Sequence, residues 1–255
     1  MKPSEARAII SGGASGLGLA AAQAIVQAGG QAVLLDVNQD QAAAAAAGLG
    51  ARASYLCADV TRESEIDAAL IKACEHMGGL NVAVNCAGIG SAARLLGRQG
   101  PMPAEFFRRV IEVNLVGTLL VCRGAAAAMQ RNEPGPDGER GVIVMTASVS
   151  AFEGQIGQIA YSASKGGIVS MTLPMARELA SSGIRVVSIA PGVFLTPMLA
   201  SMSSEVQASL GQQVPFPPRL GQPEEYAALV LQILENRMFN GTTIRLDGAM
   251  RMQSR

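Results

Sequence analysis

A short apolar segment, Arg7 to Ile10, runs into Ser11-Gly12-Gly13-Ala14-Ser15-Gly16-Leu17-Gly18 and then into the alanine-rich run Ala20 to Ala28. The order is strand, glycine-rich turn, helix, and it commits the start of the chain to an α/β unit. Glycine lets a backbone pass close to a pyrophosphate, while a helix N-terminus offers free N–H groups and the positive end of its dipole. Gly12, Ser15, Gly16, Leu17 and Gly18 are therefore candidate phosphate contacts. A tight turn with no ligand has the same spelling, so the following elements carry the decision.

Gln31 to Leu35 reads as a second apolar strand, ending in Asp36. A carboxylate at that place can accept hydrogen bonds from two adenosine ribose hydroxyls and would repel a 2′-phosphate, which points to NAD rather than NADP. Ala53 to Cys57 gives a third strand. Asp59 and Val60 follow at its carboxyl end, where open parallel sheets bind ligands. Asp59 can hold an adenine amino group or cap the next helix, Glu63 to His76, for which Thr61 is also a plausible N-cap. Leu80 to Val84 is a fourth strand, and the small residues Cys86, Ala87 and Gly88 after it suit a backbone lying flat against a cofactor.

A long helix is expected from about Pro103 to Met129. It carries Asn114 inside an apolar stretch, and a buried amide is stable only where it holds a partner. Val142 to Met145, Ile184 to Ala190 and Thr243 to Leu246 complete seven strands, with further helices at Gln39 to Leu49 and Glu224 to Glu235. The pattern predicts a Rossmann-like, doubly wound, parallel seven-stranded sheet in a single domain over 1–255. The segment 197–218, mixed in methionine, leucine, phenylalanine and polar residues, is expected to be an apolar cover over a pocket.

Tyr161 and Lys165 stand four residues apart on one helical face. A neighbouring ammonium favours the phenolate, so Lys165 is expected to lower the Tyr161 pKa and make it a group that exchanges protons with an alcohol or carbonyl. Ser148, at the end of the fifth strand, falls on the same rim and can donate to a substrate oxygen. Gln155 and Gln158, just before the tyrosine, are candidate pocket residues, although loop polarity explains them too.

Twenty basic residues balance twenty acidic ones, so no net positive charge is present to hold nucleic acid. Cys57, Cys74, Cys86 and Cys122 form no Cys-x-x-Cys pair, and His76 is the single histidine. No metal site is expected, and reduced thiols point to a cytoplasmic protein. No membrane-spanning or signal segment is legible, so a membrane is not an expected partner.

Together these features resemble the short-chain dehydrogenase/reductase family. Its Thr-Gly-x-x-x-Gly-x-Gly pattern is matched by Ser11 to Gly18, with serine for threonine, and its Asn-Ala-Gly pattern by Asn85-Cys86-Ala87-Gly88. The resemblance implies Ser148, Tyr161, Lys165 and Asn114 as the catalytic four, with Asn114 holding a water behind Lys165. It also implies Pro191, Gly192, Phe194 and Thr196 beside a nicotinamide. Asn132-Glu133-Pro134, Ala151 to Gln155, Gln213 to Pro217 and Ile244 to Ala249 resemble one subgroup in particular. That subgroup implies NAD-dependent oxidation of a small-molecule 3-hydroxyacyl-CoA ester, with tolerance of steroid alcohols, in a homotetramer. A hydroxysteroid dehydrogenase, a 3-oxoacyl thioester reductase using NADPH and a catalytically silent NAD-sensing protein stay open as alternatives.

Overall fold

A computed structural model describes residues 1–90, 92–98, 100–200 and 203–254. Its main sheet has seven strands: β1 (Arg7–Ser11), β2 (Gln31–Asp36), β3 (Ala53–Cys57), β4 (Val82–Asn85), β5 (Gly141–Thr146), β6 (Ile184–Pro191) and β7 (Thr243–Leu246). All pair in parallel, in the order β3-β2-β1-β4-β5-β6-β7. This is the doubly wound Rossmann-like sheet that the sequence predicts.

The helices are α1 (Gly16–Gln27), α2 (Gln39–Leu49), α3 (Glu63–Met77), α4 (Ala104–Ile111), α5 (Gly117–Met129), α6 (Ile159–Leu179), α7 (Pro197–Ala200), α8 (Ser204–Gln212) and α9 (Pro223–Glu235). Strand side chains alternate between two cores, because successive residues point to opposite faces of a sheet. Ile9, Val33, Ala83, Ile143 and Val186 face one core, with Ile66 and Leu70 of α3, Met129 of α5 and Ile168 of α6. Ile10, Leu34, Val84, Val144 and Val187 face the other, with Ile25 of α1 and Tyr226, Val230 and Ile233 of α9. Covered on both faces, the central strands read as continuous apolar runs.

Three expectations are corrected here. Helix α1 begins at Gly16 rather than Ala20, so the glycine-rich turn supplies the helix's own first turn. Arg62, not Thr61, is the N-cap of α3, because the Thr61 hydroxyl donates instead to Asp59 Oδ1 at 2.8 Å. The helix expected over 103–129 is interrupted by a π-helical turn, Glu112–Val116, which contains Asn114. The whole run Ala104–Met129 is apolar enough and, at 26 residues, long enough to cross a membrane. Val121, Cys122, Ala125 and Met129 are fully buried in the core, and packing accounts for its apolarity.

Candidate active site

Strands β1 and β4 are neighbours, yet the chain continues from β1 to one side of the sheet and from β4 to the other. Such a switch point leaves a crevice at the carboxyl ends of the strands. A cleft of about 760 Å³ opens there. Gly12, Ser15, Gly16, Leu17 and Gly18 line it from the turn after β1, Asp36 from the end of β2, and Asp59 and Val60 from beyond β3. Cys86, Ala87 and Gly88 line it from the segment after β4.

The glycines are required by close approach. Gly12 has φ +65°, and a Cβ added there would stand 2.7 Å from the Ala87 nitrogen, where the two turns meet. Ser15 forms no side-chain cap on α1, which leaves the first N–H groups of that helix without a capping oxygen. Asp36 accepts from Ala14 N at 3.2 Å and Asn38 N at 3.1 Å, bonds that fix its carboxylate at the rim. Among the described residues, the basic ones lining the cleft are Arg109 and Lys165. A glycine cradle, an uncapped helix N-terminus and an acidic rim fit a dinucleotide.

Ser148, Tyr161 and Lys165 come together on the other side of the cleft. Ser148 follows β5 as the cap of a single 3₁₀ turn, Val149–Ala151, and its Oγ accepts from Ser150 N at 3.1 Å. It is thus a turn residue and a cleft hydroxyl at once. Lys165 is buried, and its Nζ donates to the Thr146 main-chain oxygen at 2.7 Å. The same nitrogen lies 5.8 Å from the centre of the Tyr161 ring.

The expectation that Lys165 lowers the Tyr161 pKa does not hold in this state. Burial pushes the Tyr161 phenol up, and only a hydrogen bond with Ser148 opposes the rise. Burial also pulls Lys165 down to about 8, so the ammonium is itself weakly held and turned toward a carbonyl. For Asp59, the Thr61 backbone N–H outweighs burial and holds the carboxyl below its usual value. Asp59 therefore orders the turn before α3 while lining the cleft.

Asn114 does not line the cleft but stands directly behind it. Its Oδ1 accepts from Ile89 N at 2.8 Å, and its Nδ2 donates to Ile89 O at 3.0 Å and Ser164 Oγ at 3.1 Å. The amide is satisfied by protein groups, and it ties the segment after β4 to the helix that carries Tyr161. A π turn opens the helix just there, placing the amide where a regular turn would not.

A polar knot that sequence reasoning missed lies beneath the cleft. Thr146 Oγ1 and Tyr226 Oη are 2.8 Å apart, and Cys86 Sγ is 3.4 Å from the first and 3.5 Å from the second. Burial pushes both the Cys86 thiol and the Tyr226 phenol up, which keeps them protonated. No local signal marks Tyr226, which reads as one more large residue on the inner face of α9.

Pro191, Phe194 and Thr196 line the cleft past the end of β6, together with Gly192. Gln155 and Gln158 line it too, but the Gln158 amide serves the loop and the Gln155 amide reaches the C-terminal tail. Gln158 Oε1 accepts from Ser150 Oγ at 3.2 Å and Gln155 N at 3.0 Å. Leu199 and Leu210 reach the cleft from the cover segment, of which Ser201 and Met202 lie outside the described residues. Arg109 and Met252 also line it, unannounced by any motif. Among the described residues, no three metal-ligating side chains converge.

The family model for short chain dehydrogenase matches residues 6–207. The chain belongs to the short-chain dehydrogenase family. As such it is an oxidoreductase that works with a nicotinamide cofactor. This short-chain dehydrogenase is 55% identical over 248 residues to the 3-hydroxyacyl-CoA dehydrogenase type-2 of Bos taurus, covering 96% of this chain and 95% of that protein. It is 54% identical to the Homo sapiens protein of the same name, with the same coverage. The crystal structure of 3-hydroxyacyl-CoA dehydrogenase type-2 from Mycobacterium avium superimposes with a TM-score of 0.93, at 41% identity, covering 97% of this chain and 96% of that one.

Proposed function

We propose that this short-chain dehydrogenase oxidises the C3 hydroxyl of a 3-hydroxyacyl-CoA ester to a ketone, with NAD as the cofactor. The observation that carries the reading is the single cleft that holds Asp36 at one end and Ser148, Tyr161 and Lys165 at the other. The relatives named 3-hydroxyacyl-CoA dehydrogenase type-2 support the substrate class.

The nicotinamide ring, when bound, supplies the hydride acceptor. Ser148 Oγ orients the substrate oxygen by a hydrogen bond. Tyr161 Oη takes the hydroxyl proton as the carbon-bound hydrogen leaves with its electron pair, so the substrate loses one proton and one hydride. Burial raises the phenol, and Lys165 lies close enough to favour its ionised form once the ammonium swings off the Thr146 carbonyl. Asn114 keeps the segment after β4 in register with α6. Leu199 and Leu210 border the acyl end. Leu119, Ile159 and Leu173, exposed on α5 and α6, support the homotetramer as part of the same proposal.

Steady-state oxidation of 3-hydroxybutyryl-CoA, compared between NAD and NADP and against a steroid alcohol, tests the reading. Turnover of the thioester with a clear NAD preference is expected. Activity confined to the steroid, or found only in the reductive direction with NADPH, would overturn it.

A further inference from the structure

After β7 the chain does not leave the domain but runs back along the loop that precedes Tyr161. Arg245 on β7 makes the first anchor: its guanidinium is ion-paired with Glu153 and with Asp247 Oδ2 at 2.7 Å, and donates to Met250 O at 3.1 Å. It also lies 5.3 Å over the Phe152 ring. Arg251 adds a bond to Asp247 Oδ2 at 3.3 Å. The second anchor is at the end of the tail. Gln155 Nε2 donates to Gln253 O at 3.1 Å, and Ile156 N donates to Ser254 O at 3.1 Å. The tail is thus a strap tied down on both sides of Met252, and Met252 lines the cleft.

Its position along the cleft follows from the sheet order. Asp36 and Asp59 belong to the β2 and β3 side, whereas β5, β6 and β7 lie on the opposite side. Met252 is bonded through its neighbours to the loop between Ser148 and Tyr161, so it borders the substrate rather than the adenosine. A methionine there is unbranched, apolar and able to repack around hydrocarbons of different shape.

We infer that Met252 is a specificity-determining residue that bounds the acyl chain of the substrate, and that the tail is the strap holding it in place. The inference rests on the 3-hydroxyacyl-CoA reading. Replacing Met252 by alanine removes three heavy atoms from the wall and makes room for a longer chain. One or two methylenes in an apolar pocket are worth about tenfold in discrimination.

The test measures kcat/KM for 3-hydroxyacyl-CoA esters of increasing chain length in the wild type, Met252→Ala, Met252→Leu and a chain ending at Arg251. Met252→Ala is expected to raise the ratio of the longest to the shortest substrate about tenfold, with Met252→Leu close to the wild type and the KM for NAD little changed. The shortened chain is expected to move in the direction of Met252→Ala. A ratio unchanged in Met252→Ala, or a uniform loss on all substrates, would overturn the inference. If the wild type oxidises no thioester, it is the acyl-CoA reading that falls. The same ratio is then read on the secondary alcohols it does oxidise, from smallest to steroid-sized, and an unchanged value overturns the role of Met252 there as well.

Discussion

Lys165 donates to the main-chain oxygen of Thr146 at 2.7 Å, so its ammonium is fastened to the end of β5 instead of the Tyr161 oxygen. Thr146 is in turn held through its side chain by Tyr226, at 2.8 Å. The proton-transfer pair is therefore tied to the sheet through the lysine, and the ionisation of Lys165 is coupled to the stability of the fold.

That coupling has a definite sign. Burial lowers the Lys165 pKa from 10.5 to about 8. Between those values the unfolded chain binds more protons than the folded one, so stability rises with pH across the window. Below pH about 8 the full cost of the buried ammonium is present, roughly 3 kcal/mol by the shift alone. Lys165→Met removes the titration. Urea unfolding of both proteins at about pH 7.5 and about pH 10 should show the wild type gaining on the variant at the higher pH. A wild type that loses ground to the variant would contradict the buried, weakly held ammonium.

Asn114 has all its amide bonds inside the protein, two of them to the backbone of Ile89. Asn114→Ala leaves the Ile89 N–H and C=O without that partner in a partly buried setting. A loss of about 2 kcal/mol in chemical denaturation is expected, together with reduced turnover. Full stability with reduced turnover would instead assign the residue to chemistry alone.

What the sequence made legible follows from how local each signal is. Apolar runs bounded by turn residues placed the strands, because β1, β2 and β4 are buried on both faces and need no partner information to be recognised. Asn114 could be read as a group that holds something, since an amide in an apolar helix has no other stable reason to be there. The π turn around it could not be read, and neither could the partners of Asn114, Ile89 and Ser164, which lie 25 and 50 residues away. The same holds for Tyr226 and for Met252, whose tail meets Gln155 across 98 residues of chain. The direction of the Tyr161 shift was misjudged because a helical spacing of four reports proximity to Lys165 but neither the depth of burial nor the competing Thr146 carbonyl.

Asp36 sits at the rim with its carboxylate fixed by two backbone N–H groups. Asp36→Asn keeps the shape and one acceptor oxygen, leaves one of the two N–H groups without its bond, and removes the charge that would repel a 2′-phosphate. The ratio of kcat/KM for NAD over NADP should fall by about tenfold or more, the equivalent of about 1.4 kcal/mol or more of lost discrimination. An unchanged ratio would move the source of the cofactor preference elsewhere in the cleft.

The Glu139 side chain is 8% exposed and pairs with Arg185 Nε at 2.8 Å and with the terminal amino group at 2.8 Å. Arg185, equally buried, also donates to the carbonyls of Ile233, Leu234 and Phe239, and so staples the end of α9 to the sheet. Burial alone would raise the Glu139 carboxyl, but the hydrogen bonds from the terminal amine and Arg185 bring it below its usual value. With the folded pKa depressed, the pair's contribution is complete above the unfolded value of 4.5 and is lost as pH falls through the folded one. Glu139→Gln removes the negative charge that faces Arg185 and the terminal amine, at a cost of about 3 kcal/mol near neutral pH. Denaturation curves of the two proteins should therefore lie far apart at neutral pH and draw together in acid. Curves separated by the same amount at every pH would mean that Glu139 contributes shape rather than charge.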